Sequence, residues 1–168
     1  MSVSFQRTDE EIAQIYSRRA DTVYRVCFAY MKNRADTEDA VQETFLRLIK
    51  SGPAFQSDEH EKAWLIKTAS NVCRNALKHW WRKGESLEDH GELASGGPGT
   101  DAVLQAVTEL QEKYKAAVYL YYYEGYSGDE AARILGRPPS TVRGWLREAR
   151  ALLKERLGED ICEEQQDN

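Results

Sequence analysis

Between Lys62 and Lys83 the chain carries six basic side chains and no acidic one. Within that stretch Lys67, Asn71, Arg74, Asn75, Lys78 and Arg82 recur at steps of three and four, the spacing that gathers side chains on one helix face. A face mixing cations with amides offers charge to phosphates and paired donors and acceptors to base edges. An ordinary solvated lysine-rich surface interleaves Glu and Asp, and this one does not. A second set, Arg143, Arg147, Arg150 and Lys154, follows the same steps near the C-terminus. Both sets suit recognition of a polyanion rather than the making or breaking of bonds.

The second set needs a helix to carry it. Ser127 and Glu130 have the spacing of a capping box, so a helix is expected to start near 128, with Ala131, Ala132, Ile134 and Leu135 as its apolar face. Gly136 suits the left-handed residue after a helix end, and Pro138 disfavours helical geometry at Arg137. Ser140 is expected to cap a further helix over about 140–156, whose Val142, Leu146, Ala149 and Leu153 lie one residue out of phase with the basic set, roughly 100° around the axis. Two short helices joined by a tight turn, the second basic on one face, read as a helix-turn-helix. An ordinary helical hairpin with a solvated charged face fits the same stretch.

The first set needs three helices. Thr8 with Glu11 opens one over about 8–32, whose apolar residues include Ile12, Ile15, Val23, Val26 and Tyr30. Asp36 or Thr37 is expected to cap a second, ending near Lys50, with Ala40, Val41, Thr44, Phe45, Leu48 and Ile49 on its inner face and Asp39, Gln42, Glu43 and Arg47 opposite. After the loop SGPAFQS a third runs from about Asp58 to Lys83, its apolar face Leu65, Ala69, Val72, Ala76 and Trp80. Residues 84–100, rich in glycine and without apolar period, read as a flexible linker. Helices over about 101–109 and 110–124 precede the helix-turn-helix pair, and Tyr119, Tyr121, Tyr122 and Tyr123 read as packing. No strand signal survives, so the expected fold is all-α: two small helical domains, 1–83 and 101–157, joined by the linker and followed by an acidic tail, 158–168.

Across its 168 residues the chain is acidic, with net charge −5. That total hides a net +6 over 62–83 and +5 over 133–156. Because charges are screened beyond about 8 Å in cell-like salt, a polyanion at one surface feels the local patch, and two patches imply two contacts. Cys27, Cys73 and Cys162 are too few, too dispersed and odd in number for a disulfide framework, and Cys27 and Cys73 read as core thiols. His60, His79 and His90 form no metal-binding pair, so neither metal nor cofactor is expected, and no catalytic constellation suggests an enzyme. No apolar run approaches the roughly 20 residues of a membrane span, and the first residues lack the core of a signal peptide. A cytoplasmic protein without membrane insertion is expected.

Three segments, VYRVCFAYMKNRADTEDAVQETFLRLIKS, KAWLIKTASNVCRNALKHWWRK and LQEKYKAAVYLYYYEGYSGDEAARILGRPPSTVRGWLREARALLKERL, together resemble an extracytoplasmic-function sigma factor of bacterial RNA polymerase. The resemblance implies a region-two-like domain over 1–83 and a region-four-like domain over 101–157, acting as a promoter-specificity subunit. It implies that Asp39, Gln42, Glu43 and Leu46 dock on the beta-prime clamp helices of core polymerase, with the second domain near the beta flap. Lys67, Asn71, Arg74, Asn75 and Lys78 would hold melted strand at the minus-ten element, Asn71 matching a base-contacting position. Ser140, Thr141, Arg143, Gly144, Arg147 and Arg150 would meet the minus-thirty-five element, and an anti-sigma factor is a common partner of such proteins. Gly144, Trp145 and Glu148 depart from the family's frequently polar or basic residues, which puts the promoter sequence in doubt. The alternative is a stand-alone helix-turn-helix regulator that binds an operator by itself.

Overall fold

A computed structural model describes residues 5–86 and 101–158. Among them are seven helices and no strand, in two compact units divided between Gly99 and Thr100. Residues 87–100, most of the expected linker, and 159–168, which hold Cys162 and nearly all of the acidic tail, lie outside the described residues.

The first unit is built from α1 (Asp9–Met31), α2 (Arg34–Ser51) and α3 (Asp58–Arg82), each packed on the other two. Thr8 caps α1 in the expected reciprocal box with Glu11. The cap of α2 is Asn33, not Asp36 or Thr37. The chain reverses immediately after Met31 through Lys32 in the left-handed region, φ 65°, which leaves Asn33 as the extended residue at the helix mouth. Its side chain accepts from the Asp36 amide at 2.9 Å and donates to the Met31 carbonyl at 3.1 Å, joining the two helix ends. Asp36 is the donor's further partner, and Thr37 turns its hydroxyl back onto the Asn33 carbonyl.

Val23, Cys27, Phe28, Leu48, Leu65, Ile66, Ala69 and Cys73 form the centre of this unit, all essentially excluded from solvent. Both cysteines are buried free thiols, as read from their spacing. Where polar groups enter the core they are paired: the Tyr30 and Ser70 hydroxyls lie 2.7 Å apart. Glu61, only 7% exposed, receives Arg18 at 2.9 Å and Arg19 at 2.9 Å, tying α1 to the start of α3. Gly52 ends α2 where an added Cβ would stand 2.5 Å from the Leu48 carbonyl, so only glycine fits that close approach.

The second unit holds α4 (Ala102–Val107), α5 (Glu112–Tyr122), α6 (Gly128–Leu135) and α7 (Pro139–Leu157). Val142, Leu146, Ala149 and Leu153 are the buried residues of α7, which packs on all three of the others. Tyr119 and Tyr121 are buried, in keeping with a packing role. Ser127 and Glu130 form the expected box, and Gly136 takes the left-handed conformation at φ 66°. Ser140 does not cap α7. The helix begins a residue earlier, with Pro138 at the cap and Pro139 in the first helical position. Proline's fixed φ suits that position and its missing N–H removes one donor that a cap would otherwise satisfy.

Burial pushes the Glu61 carboxyl up, but the hydrogen bonds from Arg18 and Arg19 outweigh it and hold it below the ordinary glutamate range. Its contribution is therefore complete above about pH 4.3, the ordinary value, and is lost as the pH falls through the depressed folded one. Glu61→Gln is expected to cost about 1.5–3 kcal/mol at pH 7 in urea unfolding, with the gap to the unsubstituted protein closing as the pH falls below the ordinary glutamate range. A gap of constant size would assign the residue's contribution to shape rather than charge.

Candidate nucleic-acid interface

Packing one face of α3 against α1 and α2 fixes where the other face must point. Lys67, Asn71, Asn75 and Lys78 are exposed and Arg74 is half-buried. None of those four exposed side chains forms an ion pair or hydrogen bond among the described residues, so their donors remain available. Asn75 stands apart from the rest: it lines a groove of about 420 Å³ between α2 and α3, with Asp39, Glu43, Arg47, His79 and Trp80. Residues assigned to different partners in the sequence thus share one concavity.

On α2, Asp39, Gln42, Glu43 and Leu46 are all exposed. Glu43 pairs with Arg47 at 3.4 Å, a surface contact of small energetic weight. Ile49 corrects the expected inner face. It is 51% exposed, and with Leu46 at 43% it places apolar surface one turn beyond the acidic residues. The periodicity of α2 admits Ile49 on either side of the face boundary; what settles it is that Leu48 and Phe45 already fill the space against α1 and α3. Trp81 had no role in the sequence reading. At 81% exposure it is far more open than its neighbour Trp80, which turns into the α2–α3 groove. Stepping from Lys67 by four, three, four and three residues reaches Trp81, whereas lengthening only the last step to four reaches Arg82.

In the second unit Arg143, Arg147 and Arg150 converge on a concavity of about 470 Å³, closed on its other side by Tyr121 and by Ser127, Gly128 and Asp129 at the start of α6. The arginines are not equivalent. Arg143 is held by Asp129 at 2.6 Å across the turn, with both side chains largely exposed. Arg150 is half-buried and donates to the Tyr121 hydroxyl at 3.4 Å, while Arg147 is exposed. Ser140 is exposed and Thr141 half-buried in the first turn of α7. Trp145 is half-buried. Glu148 accepts a hydrogen bond from the Tyr114 hydroxyl, and that bond first, then burial, raises the phenol's pKa. An intramolecular partner thus accounts for an acidic residue at an otherwise basic position. Toward the helix end Arg156 pairs with Glu109. The arrangement presents cations and amides on α3 and a trio of arginines beside the turn before α7. Among the described residues it groups no set of metal-ligating side chains, and no helix is long and apolar enough to cross a membrane.

Comparison with known proteins divides the chain at the same place. A family model for Sigma-70 region 2 matches residues 15–83, and one for Sigma-70, region 4, matches residues 100–153, together most of the chain. The ECF RNA polymerase sigma factor SigE of Mycolicibacterium smegmatis is 29% identical over 162 residues, 89% of this chain, which spans 63% of that relative's length. The RNA polymerase sigma factor CarQ of Myxococcus xanthus is 29% identical over 153 residues, 86% of this chain and 88% of the relative. In fold, the chain is similar to the sigma factor RpoE solved with the anti-sigma factor NepR from Bartonella quintana, with a TM-score of 0.68 at 20% identity over 90% of this chain and 99% of that one. CnrH, solved with the cytosolic domain of CnrY, gives a TM-score of 0.63 at 22% identity over 91% of each chain.

Gly144 sits inside α7, and a Cβ built there meets no atom within 4 Å. Glycine is therefore not required by packing, and it carries the usual backbone entropy penalty of a helix interior. Gly144→Ala is expected to raise the unfolding free energy of the isolated chain's second unit by about 0.5–1 kcal/mol, followed by helical circular dichroism in urea. Destabilisation would show that the site tolerates no side chain even without a partner.

Proposed function

The chain belongs to the ECF sigma factors of bacterial RNA polymerase, and we propose that it directs core polymerase to promoters through two separate DNA contacts. Sigma factors are initiation factors rather than enzymes, which agrees with a molecule built for recognition. The observation that carries the reading is the outer face of α3. Six basic residues and no acidic one occupy 62–83, and Lys67, Asn71, Asn75 and Lys78 leave their polar groups unused within the protein. In this proposal Lys67, Arg74 and Lys78 meet phosphates at the minus-ten element while Asn71 takes a base removed from the stack. Extracting a base costs a few kcal/mol, so a side chain with both a donor and an acceptor is needed where the base arrives.

The exposed face of α2 has the opposite character and is assigned to core polymerase. Asp39, Gln42 and Glu43 supply acidic and amide groups for the beta-prime clamp helices, and Leu46 supplies an apolar contact at the edge. Acidic surface would repel DNA, which separates the two roles on one small unit. Arg143 and Arg147, near the start of α7, are assigned to the major groove at the minus-thirty-five element, with Ser140 and Thr141 at the phosphates, and the unit itself near the beta flap. Arg150, already engaged with Tyr121, acts from the side of the concavity. Gly144 would let backbone approach DNA closely. Arg143 would exchange Asp129 for DNA, and since the pair is exposed that exchange is inexpensive. The fold neighbour solved with the anti-sigma factor NepR supports an inhibitor of that kind as a further partner, and a polymerase subunit of this kind would act in the cytoplasm.

Two variants should separate the assigned faces, on a promoter selected from random duplexes by the assembled polymerase. Asn71→Ala is expected to keep core binding in a pull-down while reducing promoter melting in permanganate footprinting, with partial rescue on a template already melted at the minus-ten element. Asp39→Lys with Glu43→Lys is expected to weaken core binding at unchanged helical content. Undiminished melting by the first variant, or full core binding by the second, would move the corresponding contact elsewhere.

A further inference from the structure

We propose that Trp81 is a stacking platform for an unpaired nucleobase, placed at the C-terminal end of the α3 recognition stripe. The inference rests on assigning that stripe to single-stranded DNA, and it adds a residue and a mode of contact to it. Lys67, Asn71, Arg74, Lys78 and Trp81 follow one another at steps of four, three, four and three. At 3.6 residues per turn these five fall within an arc of roughly 80°, so the indole lies in line with the side chains assigned to the strand. Trp81 is 81% exposed, against 51% for Ile49, the next most open of the large apolar side chains among the described residues.

A single exposed apolar residue needs no explanation by itself. What singles out Trp81 is its company. Lys78 precedes it by one turn and Arg82 and Lys83 follow it directly, and no acidic residue occurs between Glu61 and Glu85. Cations around an open indole suit a ligand that is both anionic and aromatic. A protein surface of ordinary composition would supply the aromatic contact but not the charge. In duplex DNA the faces of the bases are covered by their neighbours, so an indole can stack only on a base that is unpaired and unstacked. The adjacent tryptophan reinforces the assignment: Trp80 turns inward to line the α2–α3 groove, and consecutive indoles on one helix therefore serve packing and contact separately.

The test uses core polymerase assembled with the full chain. Its probes carry 2-aminopurine at successive positions of a single-stranded minus-ten overhang, beside a fully duplex control. Trp81→Ala is expected to weaken binding of the forked probe about 10-fold, to relieve quenching at one position, and to leave the duplex control unchanged. Trp81→Tyr should restore most of the affinity and the quenching, whereas Trp81→Leu, apolar but without an aromatic face, should not. Equal loss on forked and duplex probes, full activity of Trp81→Leu, or reduced association of Trp81→Ala with core polymerase would each overturn the proposal. Asn71→Ala, measured alongside, separates the two levels. If it weakens the forked probe and Trp81→Ala does not, the platform is wrong and the stripe stands; if neither variant affects it, both are wrong.

Discussion

One helix in the first unit has to satisfy two incompatible surroundings. Along its 25 residues α3 contributes Leu65, Ile66, Ala69, Val72 and Cys73 to the core, and the same helix presents Lys67, Asn71 and Lys78 to solvent. Its orientation about its own axis therefore decides everything displayed on the outer face, and a rotation of one residue, about 100°, would bury cations. Close packing against both α1 and α2 resists such a rotation. The Glu61 clamp adds a directional restraint at the N-terminal end, because Arg18 and Arg19 hold a carboxylate at a fixed point of the helix. That clamp also removes the last negative charge before the stripe from the surface, since Glu61 is buried and paired.

Charge is distributed on the same principle. A net charge of −5 would keep the chain away from DNA if charge were spread evenly. Instead the acidic residues of α2 face outward on one side while the carboxylate-free side chains of α3 face outward on another, with a shared groove between them. With screening over about 8 Å, neighbouring helices can present different signs to different macromolecules. In the second unit acidic residues are placed against specific partners: Asp129 holds Arg143, Glu148 accepts from Tyr114 and Glu109 pairs with Arg156.

Local chemistry was legible wherever one residue had one possible role. Two capping boxes and the left-handed Gly136 are short-range features and appear as their spacing indicates. Where several competent residues stood close together, tertiary structure decided among them. Asn33, Asp36 and Thr37 can each cap a helix; the reversal after Met31 selects Asn33 and gives the other two supporting bonds. Pro138, Pro139 and Ser140 pose the same problem at α7, and the rigid pair of prolines sets the start before the serine can. In the candidate site the α3 stripe followed from period and composition, but the turn of Asn75 toward Asp39 and Glu43 depends on how α2 packs, which no local spacing encodes. Trp81 was obscured by Trp80, since an aromatic pair gives no indication of which ring is buried.

Dependence of DNA recognition on core polymerase is the claim on which the functional account stands. It is measured most directly by selecting duplexes from a random library with the full chain alone and with the chain bound to core polymerase. A two-part motif is expected to be enriched only when core polymerase is present, with the chain alone retaining little duplex of any sequence. Enrichment of the same or a single operator-like motif by the chain alone, at comparable strength, would contradict it and identify a free-standing helix-turn-helix regulator instead.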